Sequence, residues 1–100
     1  MILGQNLKVY LWSAHVELRK GFDGLSTLVQ EVLKEDAFSG TCFVFRNRRS
    51  NRLKLLMWDG TDFVLAYKRL DRGTFYWPRT DAGKIQVTQA ELGLIFDGID

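Results

Sequence analysis

From Thr41 to Trp77 the chain repeats one pattern, a short run of β-branched, aromatic and aliphatic residues followed by a polar turn. Thr41-Cys42-Phe43-Val44-Phe45 leads into Asn47-Arg48-Arg49-Ser50-Asn51. Leu53 to Trp58 leads into Asp59-Gly60, and Phe63 to Lys68 into Asp71-Arg72-Gly73. Thr74-Phe75-Tyr76-Trp77 is stopped by Pro78. Runs of this length separated by turn formers are strands joined by hairpins, with Asp-Gly the strongest turn signal among them. Lys8 to Trp12 has the same character and predicts an earlier strand, and Lys84 to Val87 a short later one.

Two segments have helical spacing instead. Asp23 is a good N-cap, and Leu25, Leu28, Val29, Val32 and Leu33 share one face, so the spacing predicts a helix over 24–35 with Gly40 in the turn beyond it. Thr88-Gln89-Ala90-Glu91 matches the capping box, in which the hydroxyl and the Glu three residues later satisfy each other's backbone N–H groups. Leu92, Leu94, Ile95 and Phe96 follow, and Gly98 can end that second helix. The reading is a single domain over residues 1–100 of the α+β class. It is an antiparallel β-meander of about four to five strands with two helices packed on one face.

Composition limits what such a domain can do. Hydrophobic residues make up 46% of the 100 residues and aromatics 13%, enough to build one core. The single cysteine, Cys42, permits no intrachain disulfide and no thiolate-rich zinc site. No apolar run approaches the roughly 20 residues of a membrane span, and Met1 to Asn6 does not read as a secretory signal. A cytoplasmic protein with no membrane partner is expected.

Residues associated with catalysis do not assemble into a recognisable set. His15 is the only histidine and has no triad or ligand partners near it in sequence. Cys42 lies in a predicted strand, where a small buried hydrophobe is the usual role. Asp59 and Asp62 flank a glycine turn, where Asp serves turn formation. Gly21-Phe22-Asp23-Gly24 precedes a helix but matches no nucleotide-binding loop. The sequence predicts a protein that is not an enzyme and uses no metal or cofactor.

Charge is more informative. The net charge is only +2, but residues 36–85 hold ten basic and five acidic side chains, while residues 86–100 hold three acids and no base. Arg46, Arg48, Arg49, Arg52 and Lys54 crowd one hairpin, and Lys68, Arg69 and Arg72 gather at a later turn. With a loop at 47–51, Arg46 pairs with Arg52, and like charges facing each other disfavour the free hairpin. An anionic partner relieves that repulsion, and Arg forks suit phosphate. Trp58, Tyr67, Tyr76 and Trp77 lie nearby in sequence and could stack on bases or serve as anchors for a protein partner. These eight basic residues are the candidate nucleic-acid-binding set. The competing interpretation is a solvated loop on a protein that docks on another protein.

The whole chain resembles the small TnpB accessory proteins of the bacterial insertion-sequence family designated sixty-six. The matching motifs run in order. Val9-Tyr10-Leu11 is followed by Glu17-Leu18-Arg19-Lys20-Gly21, Phe22-Asp23-Gly24-Leu25 and Leu28-Val29. Next come Phe38-Ser39-Gly40, Phe43-Val44-Phe45-Arg46, Arg48-Arg49, Arg52-Leu53-Lys54 and Trp58-Asp59-Gly60. Phe63, Tyr67-Lys68-Arg69-Leu70, Gly73, Phe75, Trp77-Pro78 and Gly98-Ile99-Asp100 complete the pattern. The departure is Glu17-Leu18, where the family pattern has Asp-Met. The resemblance implies a role in transposition beside a separate catalytic transposase, with DNA and the other proteins of the same element as partners. It supplies no biochemical activity, which has to be argued from the site.

Overall fold

A computed structural model describes residues 7–19, 21–31 and 34–98. The elements in chain order are β1 (Val9–Trp12), α1 (Phe22–Glu31), β2 (Cys42–Arg46), β3 (Arg52–Trp58), β4 (Phe63–Arg69), β5 (Lys84–Val87) and α2 (Gln89–Asp97). The five strands form one sheet in the order β4-β3-β2-β1-β5. Three of the four neighbouring pairs are antiparallel. The exception is β1 with β2, which run parallel with Val9 opposite Cys42 and Leu11 opposite Val44. The α+β class and the five-stranded, mostly antiparallel sheet agree with the sequence reading.

The parallel pair changes where the helices go. Parallel neighbours need a crossover, and α1 lies within the connection from β1 to β2. Successive side chains of a strand point to opposite faces. On one face Tyr10, Trp12, Phe43, Phe45 and Leu56 pack with Leu25, Leu28 and Val29 of α1. On the other, Val9, Leu11, Cys42, Val44, Leu53, Leu55 and Met57 pack with Leu92 and Ile95 of α2. The helices therefore cover opposite faces of the sheet, not one face as the sequence suggested. Their placement is why Cys42, Phe43, Val44 and Phe45 of the central strand are all buried: each face has its own layer above it.

Three local differences from the sequence reading follow from tertiary context. Helix α1 starts at Phe22, so Asp23 lies in its first turn, where its carboxylate favours the positive end of the helix dipole, instead of capping it. Lys34 has a positive φ of 56° beyond the helix, and Val32 and Leu33 of the expected apolar face lie outside the described residues. The expected strand at 74–77 is reduced to a single bridge at Thr74. Phe75 enters the α2-side core, and its N–H donates to Ser50 O at 2.6 Å, which holds this segment against the hairpin loop.

Helix α2 fits the sequence reading closely. The Thr88 side chain accepts from Glu91 N at 3.0 Å, and Thr88 N donates to Glu91 Oε1 at 2.9 Å. Gly98 ends the helix at φ 75°, a backbone conformation that favours glycine, and a Cβ there would lie 2.7 Å from Leu70 Cδ1, which would have to shift.

Candidate nucleic-acid interface

The hairpin between β2 and β3 carries most of the candidate residues, and its register decides where they point. Arg46 stands opposite Leu53, not Arg52. Asn47 closes the hairpin instead: its N–H donates to Arg52 O at 3.1 Å, and its Oδ1 accepts from Asn51 N at 3.1 Å and Arg52 N at 3.0 Å. The segment between the strands is 47–51 as expected, with Ser50 at φ 55°, but the register is shifted by one residue from the expected Arg46–Arg52 pair. This one-residue change places Arg46 and Arg52 on opposite faces of the sheet.

Arg46 is on the α2 side. Its Nη2 donates to Ser13 O at 3.2 Å, and its Nη1 lies 3.3 Å from Ser50 Oγ and 3.4 Å from Asn47 O. The guanidinium also lies over the Trp77 ring at 5.9 Å, while Trp77 Nε1 donates to Trp12 O at 2.8 Å. Burial lowers the pKa of this guanidinium from its ordinary value. Lys68 also points to the α2 side, where its Nζ donates to Phe96 O at 2.6 Å. Arg46 and Lys68 are therefore structural ties and stand apart from the other basic residues.

Arg52 and Lys54 project from the α1 side of β3, in line with Leu56. Across the β3–β4 pair Arg52 faces Arg69, and Lys54 faces Tyr67 with its Nζ 5.9 Å from the ring centroid. The expected like-charge opposition thus exists between Arg52 and Arg69. Arg69 has a countercharge in Asp71, 3.7 Å away, but both side chains are largely solvent-exposed and the pair is screened. Arg72 is exposed in the following turn, beside the hairpin loop that Leu70 N reaches through Asn51 O at 2.9 Å.

Helix α1 does not reach over the outer part of this face, which leaves Leu65 37% and Tyr67 52% exposed. A groove of about 910 Å³ results. Its floor is Arg52, Lys54, Leu65 and Tyr67, one wall is Asn47, Arg48 and Arg49, and the other is the segment from His15 to Arg19. The second wall is held by Val16 N donating to Arg46 O at 2.9 Å. The lining includes five cations, Arg19, Arg48, Arg49, Arg52 and Lys54, against one carboxylate, Glu17, which sits 3.4 Å from Arg19. Of the eight basic candidates, Arg48, Arg49, Arg52 and Lys54 line the groove, Arg69 adjoins it through Arg52, and Arg72 lies outside its lining. The sequence reading left Arg19 out of the basic set and did not place His15 beside it, because only tertiary packing brings the segment after β1 beside a hairpin more than 25 residues away.

The remaining candidates have structural settings. Cys42 is fully buried, and burial pushes its thiol pKa up to about 12. Asp59 accepts from Thr61 N, Asp62 N and Thr61 Oγ1, each at 2.9 Å, and the two backbone donors come first among the causes that hold its carboxyl below the usual carboxylate range. Trp58 packs edge-on to Phe38 and Phe63 at 4.9 and 5.1 Å, and Tyr76 is 54% exposed on the α2 side beside Leu94. No described helix is long and apolar enough to cross a membrane.

Comparison with known proteins gives a consistent assignment. The family model described as IS66 Orf2 like protein matches residues 7–100. The Sinorhizobium fredii protein y4hO is 43% identical over 97 residues, covering 97% of this chain and 84% of the relative. A second protein of that organism, y4jC, is 33% identical over 96 residues, covering 96% and 82%. No solved structure matches the chain. A match that spans both helices and every strand of the sheet identifies the chain as a member of the IS66 Orf2-like family.

Proposed function

We propose that this chain is a non-catalytic accessory protein for transposition of a bacterial insertion sequence, acting in the cytoplasm on element DNA and leaving strand chemistry to a separate transposase. Membership of the IS66 Orf2-like family supports the process. The observation that carries the mechanism is the groove, where five cations surround one carboxylate on the outer part of the sheet face that α1 leaves uncovered. Such a site is selective for phosphate and holds a backbone without reading bases. The opposition of Arg52 and Arg69 adds to this, since a bound phosphate relieves their repulsion. Asn47 keeps the loop folded before any ligand arrives, so little ordering entropy is lost on binding.

The test is a salt series of duplex affinity for the wild type and Arg48→Ala/Arg49→Ala/Arg52→Ala. Each lost phosphate contact lowers the slope of log K against log salt by about 0.9. The expected result is a shallower slope and weaker binding for every DNA sequence tried. An unchanged slope removes the groove from consideration.

A second reading has its own observation. Leu94 is 72% exposed on α2 and borders an apolar groove with Tyr76, Pro78 and Ile95. That surface suits docking on the transposase, and Leu94→Asp would then abolish co-purification with the transposase in high salt without changing DNA affinity.

A further inference from the structure

We propose that the basic groove takes single-stranded nucleic acid, with backbone phosphates on Arg48, Arg49, Arg52 and Lys54 and one base stacked on Tyr67. The inference rests on the phosphate-binding reading above and specifies the state of the nucleic acid. Tyr67 carries it. Tyr67 is 52% exposed among the lining of a groove whose rim is charged, and Leu65, two residues along the same face, is 37% exposed. Neither is needed to close the core on this side, which α1 completes with Leu25 and Val29 over Phe43, Phe45 and Leu56. An apolar floor under a cationic rim matches the two parts of a nucleotide, a π-face and a phosphate.

Duplex DNA does not match this arrangement. Its phosphates lie outside and its bases are stacked within, so a ring at the bottom of a concave site meets no base face. Proteins read a duplex by inserting a helix or ribbon into its grooves, whereas here the ring lies below walls formed by Arg48 and Arg49 on one side and Arg19 on the other. An unpaired strand can place its backbone along the cations and turn a base down onto the ring. Lys54 links the two sites: its Nζ lies 5.9 Å from the Tyr67 centroid. A phosphate draws that ammonium toward itself and leaves the ring face to the base.

The experiment compares a labelled oligonucleotide of about 15 nucleotides, single-stranded and as its duplex, by fluorescence anisotropy over a salt series. The proteins are the wild type, Tyr67→Leu and Tyr67→Phe, each checked for native circular dichroism. The expected result is tighter binding of the single strand, weakened at least about fivefold by Tyr67→Leu. Tyr67→Phe binds like the wild type, because the ring is kept. The salt slope is the same in all three, because no charge is removed. Duplex bound as tightly as single strand, with Tyr67→Leu neutral, overturns this inference and leaves the phosphate groove standing. A loss with Tyr67→Phe as large as with Tyr67→Leu also overturns stacking, because it assigns the effect to the hydroxyl. Binding of neither form by the wild type at low salt overturns both this inference and the phosphate reading beneath it.

Discussion

The Arg46 guanidinium donates to the Ser13 carbonyl oxygen at 3.2 Å, which ties the segment after β1 to the hairpin that follows β2. The same side chain lies 3.3 Å from Ser50 Oγ, and its backbone oxygen accepts from Val16 N. Both walls of the groove therefore hang on one residue that points away from it. Arg46→Ala is expected to lower stability by about 1–3 kcal/mol through lost charge-assisted hydrogen bonds and to weaken nucleic-acid binding while leaving its salt slope unchanged. Urea titration and a salt series check the two parts. A slope reduced as much as by Arg52→Ala would make Arg46 a phosphate contact instead.

Arg52 is expected to trade stability for binding. It faces Arg69 directly across the β3–β4 pair. Arg52→Thr removes that repulsion and puts a good strand former in its place, so the folded state should gain between a few tenths and about 1 kcal/mol. Nucleic-acid affinity should fall at the same time. Thermal melting and anisotropy on one preparation test this, and a less stable variant would show that the two guanidinium groups do not repel.

Cys42 is expected to be inert in the folded protein. It is fully buried, with its thiol pKa pushed up to about 12, and a thiolate is the reactive form. A thiol reagent at pH 8 should react only at the rate of global opening and fully in denaturant. Reaction of the native protein at the rate of a free thiol would contradict this burial. Cys42→Ser, which buries a hydroxyl between two packed layers, should cost about 1–3 kcal/mol.

Asp59 makes the turn between β3 and β4 sensitive to acid. Its carboxylate accepts two backbone N–H bonds and one hydroxyl, so its pKa is lower in the folded than in the unfolded state. The contribution to stability is present above the unfolded value of about 3.9 and is lost as pH falls through the folded one. Asp59→Ala should be less stable than the wild type at neutral pH, with the difference shrinking below about pH 4. Urea midpoints across the acid range measure this, and a difference constant with pH would show that the carboxylate charge plays no part.

Several features were legible in the sequence because each depends on neighbours only a few residues away. The capping box at Thr88 and Glu91 and the Asp59-Gly60 turn between β3 and β4 are set by local backbone and side-chain geometry. The basic hairpin was legible as a charge cluster, so Arg48, Arg49, Arg52 and Lys54 stand in the groove as candidates named in advance. The tertiary structure decided the rest. The parallel pairing of β1 with β2 joins residues over 30 apart and requires the crossover that carries α1 over one face, while α2 packs on the other. A continuous apolar run at Cys42 to Phe45 was the visible trace of that, since a strand covered on both sides has no polar face to alternate. The register at Asn47 turned on side-chain hydrogen bonds inside the loop, and one residue of difference sent Arg46 to the far side and Arg52 to the groove. Composition determines how much charge the chain carries, but strand pairing determines which charges share a face, because pairing is chosen by burial across the whole sheet.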